Sequence, residues 1–247
     1  MQLSENTVFI TGGASGIGFA LAKGFLELKN TVIICGRNSS KLQQVKECFP
    51  EIHVIHCDVK NKDDVQNAFE VIKNEFSELN ILVNNAGIQY RFDFREDQDA
   101  IAKIDEEIDT NFRAIVRLTK LFIPILERAP QSAVVNVSSG LGIVPKKSAP
   151  GYCASKAAIH AFSKSLRYQL EKTSVQVVEL FPPFTETDMT RGRETDIHGV
   201  SPDFVASKFF SKFAKDCREI KPGLMNLFLF QLNRFLPPLA EKIAKNR

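Results

Sequence analysis

Thr7-Val8-Phe9-Ile10-Thr11-Gly12-Gly13-Ala14-Ser15-Gly16-Ile17-Gly18 is the stretch whose reading decides the fold of this chain. Thr7 to Ile10 is a run of β-branched and aromatic residues, apolar enough to be covered on both faces, as strands of parallel sheets are. It leads straight into a glycine turn, and the residues from Phe19 to Leu28 then read as a helix. This order carries a mechanism. Glycine lets the backbone turn tightly and approach a pyrophosphate, while the helix N-terminus offers free N–H groups and a partial positive charge. The spacing is Gly-x-x-x-Gly-x-Gly rather than Gly-x-Gly-x-x-Gly. Gly12, Ser15, Gly16, Ile17 and Gly18 are therefore candidate cofactor-binding residues.

Outward from this turn, the same alternation repeats. Strands are expected at Thr7 to Ile10, Thr31 to Cys35, Ile52 to His56, Ile81 to Asn84, Ala133 to Val137 and Gln176 to Leu180, with helices in the intervals. The fold class that follows is α/β: a Rossmann doubly wound parallel sheet of six to seven strands with helices on both faces, formed as a single domain over residues 1–247. Ile101, Ile104, Ile108, Phe112, Ile115, Leu118, Phe122 and Ile125 recur at three and four, predicting one long helical seam that stops before Pro130. A second long helix is expected from about Tyr152 to Glu171. Both are candidates for a subunit interface. After Leu180 the alternation weakens into a Pro-Pro turn and a Thr, Arg and Gly rich stretch, followed by a helix opened by Ser201 and Pro202. Residues 188–247 read as a substrate lid and C-terminal tail, because long irregular segments usually cover an active site.

Composition excludes other classes. The 32 basic and 29 acidic residues leave a formal charge of +3 spread along the chain, so no domain-wide positive field is available for nucleic acid. Five cysteines form no C-x-x-C pair, and their odd number argues against a closed disulfide framework. The four histidines share no spacing with carboxylates or thiols that suggests a metal site. The N-terminus lacks a basic n-region, and the apolar tail from Gly223 is interrupted by polar residues and prolines. A cytoplasmic location is the expectation.

The second strand ends Cys35-Gly36-Arg37-Asn38, with no acid between Thr31 and Lys41. A carboxylate there would hold a ribose 2'-hydroxyl, whereas arginine can fork onto a 2'-phosphate. Arg37 and Asn38 thus favour NADP(H) over NAD(H). Farther along, Tyr152 and Lys156 lie four apart at the start of a helix, on one face. A free tyrosine has a pKa near 10, and acid–base work near neutrality needs a cation beside it. Two unit charges about 4 Å apart are worth roughly 4 kcal/mol at an intermediate dielectric, which is enough. Strand five delivers Ser138-Ser139-Gly140 at its C-terminal end, where ligands of open α/β sheets collect, and Ser139 can hydrogen-bond a substrate oxygen.

Taken together, Thr-Gly-x-x-x-Gly-x-Gly, Asn84-Asn85-Ala86-Gly87, Asn111, Ser139 and Tyr-x-x-x-Lys resemble the short-chain dehydrogenase/reductase family over about residues 3–190. The resemblance implies a catalytic tetrad of Asn111, Ser139, Tyr152 and Lys156. In it Ser139 orients a carbonyl, Tyr152 exchanges the proton, Lys156 also holds the nicotinamide ribose, and Asn111 seats a relay water. It further implies that Asn85, Ala86 and Gly87 line the cofactor cleft, that Asp58 and Val59 sit near adenine, and that Pro182, Thr185 and Thr187 contact the cofactor from the lid side. Homodimers or homotetramers are common in the family. Where the family usually has Pro-Gly after strand six, this chain has Pro182-Pro183. That Pro-Pro and the Asn-Asn-Ala-Gly-Ile-Gln string are similar to a bacterial DltE-like branch.

The expected function is NADP(H)-dependent transfer of hydride to or from a carbonyl or alcohol substrate. A non-catalytic NADP(H) sensor is the alternative, and the pairing of Tyr152 with Lys156 argues against it. An epimerase of nucleotide sugars is disfavoured by length. Gln89, Tyr90, Leu141, Ile143, Phe184 and Met189 suggest a mostly apolar pocket mouth. For the Phe-rich tail, packing on a partner or closing over the substrate is preferred to contact with a membrane surface.

Overall fold

Each of the six apolar runs expected as strands forms one. The computed structural model describes residues 1–192 and 198–245. Its strands are β1 (Thr7–Thr11), β2 (Thr31–Gly36), β3 (His53–His56), β4 (Leu79–Asn84), β5 (Ser132–Val137), β6 (Val175–Leu180) and β7 (Glu219–Ile220). They form one parallel sheet in the order β3-β2-β1-β4-β5-β6-β7. The seventh strand is two residues long, too short to show a period in the sequence. It pairs Glu179 with Glu219 and Leu180 with Ile220.

The helices are α1 (Gly16–Glu27), α2 (Ser39–Cys48), α3 (Lys62–Glu75), α4 (Ala100–Ile108), α5 (Ala114–Leu126), α6 (Pro150–Gln169), α7 (Pro202–Phe213), α8 (Leu224–Phe235) and α9 (Pro237–Lys245). Successive strand residues point to opposite faces, so the sheet builds two cores. Val8, Ile10, Val32 and Ile34 pack with Leu21 and Phe25 of α1 and Phe209 of α7. Phe9, Ile33, Leu82 and Val134 pack on the other face with Ile72 of α3, Phe122 of α5 and Leu166 of α6. This is the doubly wound Rossmann arrangement, a single sheet covered on both sides. Ser201 caps α7, its side chain accepting from Phe204 N at 3.1 Å, as the Ser-Pro start requires.

The seam expected from Ile101 to Leu126 departs from its pattern in the middle. A π-helical turn, Asp109–Arg113, joins α4 to α5. Its wider turn breaks the register of the apolar stripe. Ile115, Leu118, Phe122 and Ile125 are buried, whereas Ile101 is 72% exposed and Ile104, Ile108 and Phe112 are half-buried. The lid expected over residues 188–247 includes residues 193–197 and 246–247, which lie outside the described residues. Among the described residues no helix is long and apolar enough to cross a membrane.

Candidate active site

The order of the strands reverses direction between β1 and β4, and a crevice opens there beyond the carboxyl ends of the strands. It forms a cleft of about 1110 Å³ that runs from Arg37 past the glycine turn to Ser139 and Tyr152.

One wall is the turn from β1 to α1. Ser15, the N-cap of α1, makes no side-chain capping bond, so the helix presents uncapped N–H groups to the cleft. Gly16 has φ 55°, and a Cβ there would stand 3.0 Å from Thr187 Cγ2 of the segment after β6. At Gly18 a Cβ would fall 2.4 Å from both Gly12 O and Asn85 Nδ2, which no side chain allows. The turn is thus a cradle that glycine keeps open, and its uncapped helix end suits a pyrophosphate. Thr11 and Asn85 lock it to β4. Thr11 Oγ1 accepts from Asn85 N and Ala86 N, both at 3.0 Å, while Asn85 Nδ2 donates to Thr11 O at 2.9 Å and Gly12 O at 3.1 Å. Gly12, Ile17, Asn85, Ala86 and Gly87 all line the cleft.

At the far end, Arg37, Asn38, Asp58 and Val59 also line the cleft. Asn38 caps α2, accepting from Lys41 N at 2.9 Å. Lys41, in the first turn of α2, lines the same end of the cleft and pairs with Asp188 from the segment after β6. Lys41 was missed in the sequence, because its place in the cleft and its pairing with Asp188 depend on the tertiary fold. Arg37 lies 3.9 Å from Glu106, whose carboxylate also takes Lys60 at 2.7 Å and the Tyr90 hydroxyl at 2.5 Å. These donors hold the Glu106 carboxyl below its usual range, the Lys60 hydrogen bond most of all.

The other end holds the acid–base candidates. Ser139 accepts from Leu141 N at 3.2 Å, which fixes the oxygen and leaves its hydrogen available to a ligand. Lys156 is 4% exposed and donates to Val137 O at 2.8 Å, and its Nζ lies 5.5 Å from the centre of the Tyr152 ring. Burial lowers its pKa from 10.5 to about 8, opposed by the charge of Glu179. Serine, tyrosine and lysine all face the cleft.

Asn111 lies in the π-turn and is fully buried behind this wall. Its Oδ1 accepts from Ile88 N at 2.8 Å, and its Nδ2 donates to Ile88 O and Ser155 Oγ, both at 3.0 Å. Ser155 in turn donates to Tyr152 O at 2.8 Å. The side chain clamps the segment after Gly87 and ties it to the helix that carries Tyr152. A Cβ at Gly87 would stand 3.2 Å from Asn111 Oδ1 and 3.8 Å from Lys156 Nζ, so the clamp and the ammonium flank the same glycine.

After β6, Pro182, Pro183, Thr185 and Thr187 line the cleft. Thr185 is turned onto its own segment, donating to Pro183 O at 2.8 Å, and its backbone bridges to Val200. Thr187 packs over Gly16.

Behind the lysine stands a group that spacing concealed. Glu179 of β6 is fully buried, and His160, one turn after Lys156 on α6, meets it at 3.0 Å. With Glu219 they place three ligand-type atoms within 4.8 Å of one another. Arg167 also reaches this cluster, 3.7 Å from Glu179 and 3.6 Å from Glu219, so a cation is already present. The cysteines held a similar surprise: Cys35 hydrogen-bonds Cys57 beneath the cleft, and that bond together with burial holds the Cys35 thiol well above its usual pKa. Burial likewise raises Cys153, which is consistent with a structural thiol.

Comparison with known proteins agrees with this geometry. Residues 6–198 match the short chain dehydrogenase family. The chain is 42% identical over 216 residues to the uncharacterized oxidoreductase DltE of Bacillus subtilis, covering 87% of this chain and 85% of that protein. It is 29% identical over 207 residues to an uncharacterized oxidoreductase of Staphylococcus aureus, covering 83% and 89%. In fold it is similar to a Burkholderia cenocepacia short chain dehydrogenase solved in complex with NADP, with TM-score 0.87, 22% identity and 99% of each chain covered. A Burkholderia phymatum short chain dehydrogenase/reductase in complex with NAD gives TM-score 0.85 at 20% identity, over 97% of this chain and 96% of that one. With the glycine cradle, the Tyr152–Lys156 pair and this match in place, the chain belongs to the short-chain dehydrogenase/reductase family of oxidoreductases, where it resembles the DltE branch.

Proposed function

We propose that this protein is an NADP(H)-dependent oxidoreductase interconverting a carbonyl and an alcohol, with Tyr152 as general acid and base. The observation that carries the reading is the buried Lys156 ammonium beside the Tyr152 ring, in one cleft with Ser139 and the glycine cradle. Reduced nicotinamide, when bound, supplies the hydride that reaches the carbonyl carbon. Ser139 donates its hydroxyl hydrogen to the carbonyl oxygen and orients it. Tyr152 gives its phenolic proton to that oxygen as negative charge develops there, and the ammonium of Lys156 favours the phenolate left behind. Asn111 acts on this chemistry through the Ile88 and Ser155 contacts that hold the cleft wall against α6.

Arg37 and Lys41 support NADP(H) over NAD(H), because two cations line the end of the cleft where an NAD enzyme would offer a carboxylate. The test is turnover of a carbonyl panel with each cofactor. Wild type is expected to prefer NADPH, and Arg37→Asp to lower kcat/KM with NADPH by about tenfold or more, the loss of a charge-assisted pair on phosphate. Faster wild-type turnover with NADH, or an unchanged preference in the variant, overturns the cofactor assignment. Tight NADPH binding without turnover of any carbonyl would favour the sensor.

Glu179 gives this reading a pH signature. Its charge raises the pKa of Lys156 against the burial that lowers it. In Glu179→Gln the opposing charge is gone and the lysine loses its proton at a lower pH. The high-pH limb of kcat/KM is therefore expected to move to lower pH in the variant, with activity near pH 6 retained. An unmoved limb in a variant whose thermal melt matches wild type would separate Glu179 from the lysine.

The partners we assign are a small carbonyl or alcohol substrate and a second copy of the chain, as homodimer or homotetramer. Ile101 on α4 and Tyr168 near the end of α6, 72% and 73% exposed on the helices expected to form an interface, support this assembly. Free thiols at all five cysteines support a reducing, cytoplasmic setting.

A further inference from the structure

Helix α8 lines one side of the cleft through Leu224, Met225, Asn226 and Leu229, α9 packs against it, and much of their apolar surface stays bare. The inner face of α8 is anchored: Asn226 Nδ2 donates to Phe181 O at 2.7 Å, and the Phe230 ring meets Phe181 edge-on at 5.1 Å. Leu229 and Leu232 pack against the cluster of Val144 and Ala240. These contacts fix which side of the helix points outward. Leu224, Phe228 and Phe235, spaced at four and seven, form the outer stripe and are 85%, 56% and 71% exposed. Leu236 and Leu239 extend it onto α9. A helix apolar on both faces but covered on one calls for an occupant on the other.

Charge identifies the occupant. Residues 221–247 hold five basic side chains and one acidic, whereas the preceding 220 residues hold twenty-seven basic and twenty-eight acidic. The whole positive excess of the protein is thus carried by this arm. A second copy docking by the same face would set these cations against one another across a two-fold axis. An anionic lipid surface offers both an apolar layer for the stripe and negative headgroups for Arg234, Lys242 and Lys245. Leu224 and Met225 are exposed and also line the cleft, so the cleft opens on the same arm.

We propose that α8 and α9 dock the protein on an anionic lipid surface, with the mouth of the cleft at the contact. This docking does not depend on the proposed redox chemistry and is tested without it. Full-length protein is sedimented with vesicles of phosphatidylcholine alone and of phosphatidylcholine mixed with phosphatidylglycerol. It is expected to pellet with the mixed vesicles and to be released as salt rises. Lys242→Gln with Lys245→Gln, and separately Phe228→Ser with Phe235→Ser, should each weaken partitioning by about tenfold or more. Circular dichroism melts report whether each variant is folded, and the surface lysine pair carries the test if the phenylalanine pair unfolds. Wild type remaining in the supernatant at low salt, or a folded lysine pair that binds as wild type does, overturns the proposal. So does light scattering that shows a dimer dissolved by Phe228→Ser, which would give the face to a second copy.

Discussion

Replacing Tyr152 with phenylalanine is expected to lower kcat/KM for carbonyl reduction by about 10²- to 10⁴-fold while leaving NADPH binding close to wild type. The magnitude is that of a positioned general acid. Phenylalanine keeps the ring against the Lys156 ammonium, 5.5 Å from its centre, so the cleft wall should not collapse. What is lost is the hydroxyl to which the proposed mechanism gives the proton transfer. Steady-state kinetics with fluorescence titration of NADPH separates the two effects. Undiminished turnover in the variant would remove the acid–base assignment on which the proposed function stands.

Lys156→Met should have a double effect, lowering activity by a comparable factor and raising stability. A buried ammonium whose pKa falls from 10.5 to about 8 costs the fold on the order of 3 kcal/mol at neutral pH, because the unfolded chain holds that proton more tightly. The sign follows from proton counting. Below pH 8 both states are protonated and the cost is constant. Between pH 8 and about 10.5 the unfolded state binds more protons than the folded one, so wild-type stability rises with pH. Methionine fills the space without the charge. Denaturant melts across this range should show the variant's advantage at pH 7 and its loss toward pH 10.5, reduced by whatever the lost bond to Val137 O contributes. A variant that is both inactive and less stable at pH 7 would show that the hydrogen bond outweighs the buried charge.

Much of the site was legible because its parts are local. The turn from β1 to α1 is twelve residues of continuous chain, and Tyr152 and Lys156 need only one helical turn to meet. Ser139 follows directly from the end of a strand. Lys41 was within three residues of the predicted Asn38 and still went unread, because its partner Asp188 is 147 positions away in the sequence. Asn111 was read as a member of the site, but its clamp on Ile88 depends on a π-turn that no apolar period announces.

By itself the sequence determined the alternation of strands and helices, the glycine cradle and the pairing of tyrosine with lysine. These follow from short-range sterics and from periods of two and of three to four residues, which act along the chain. Tertiary structure alone decided that the charge of Glu179 acts on Lys156, that Asp188 reaches Lys41, and that one face of α8 is covered while the other is bare. Each of those results joins residues more than ten positions apart, and whether such side chains meet is set by strand order and by the packing of helices on a twisted sheet, which no local spacing encodes.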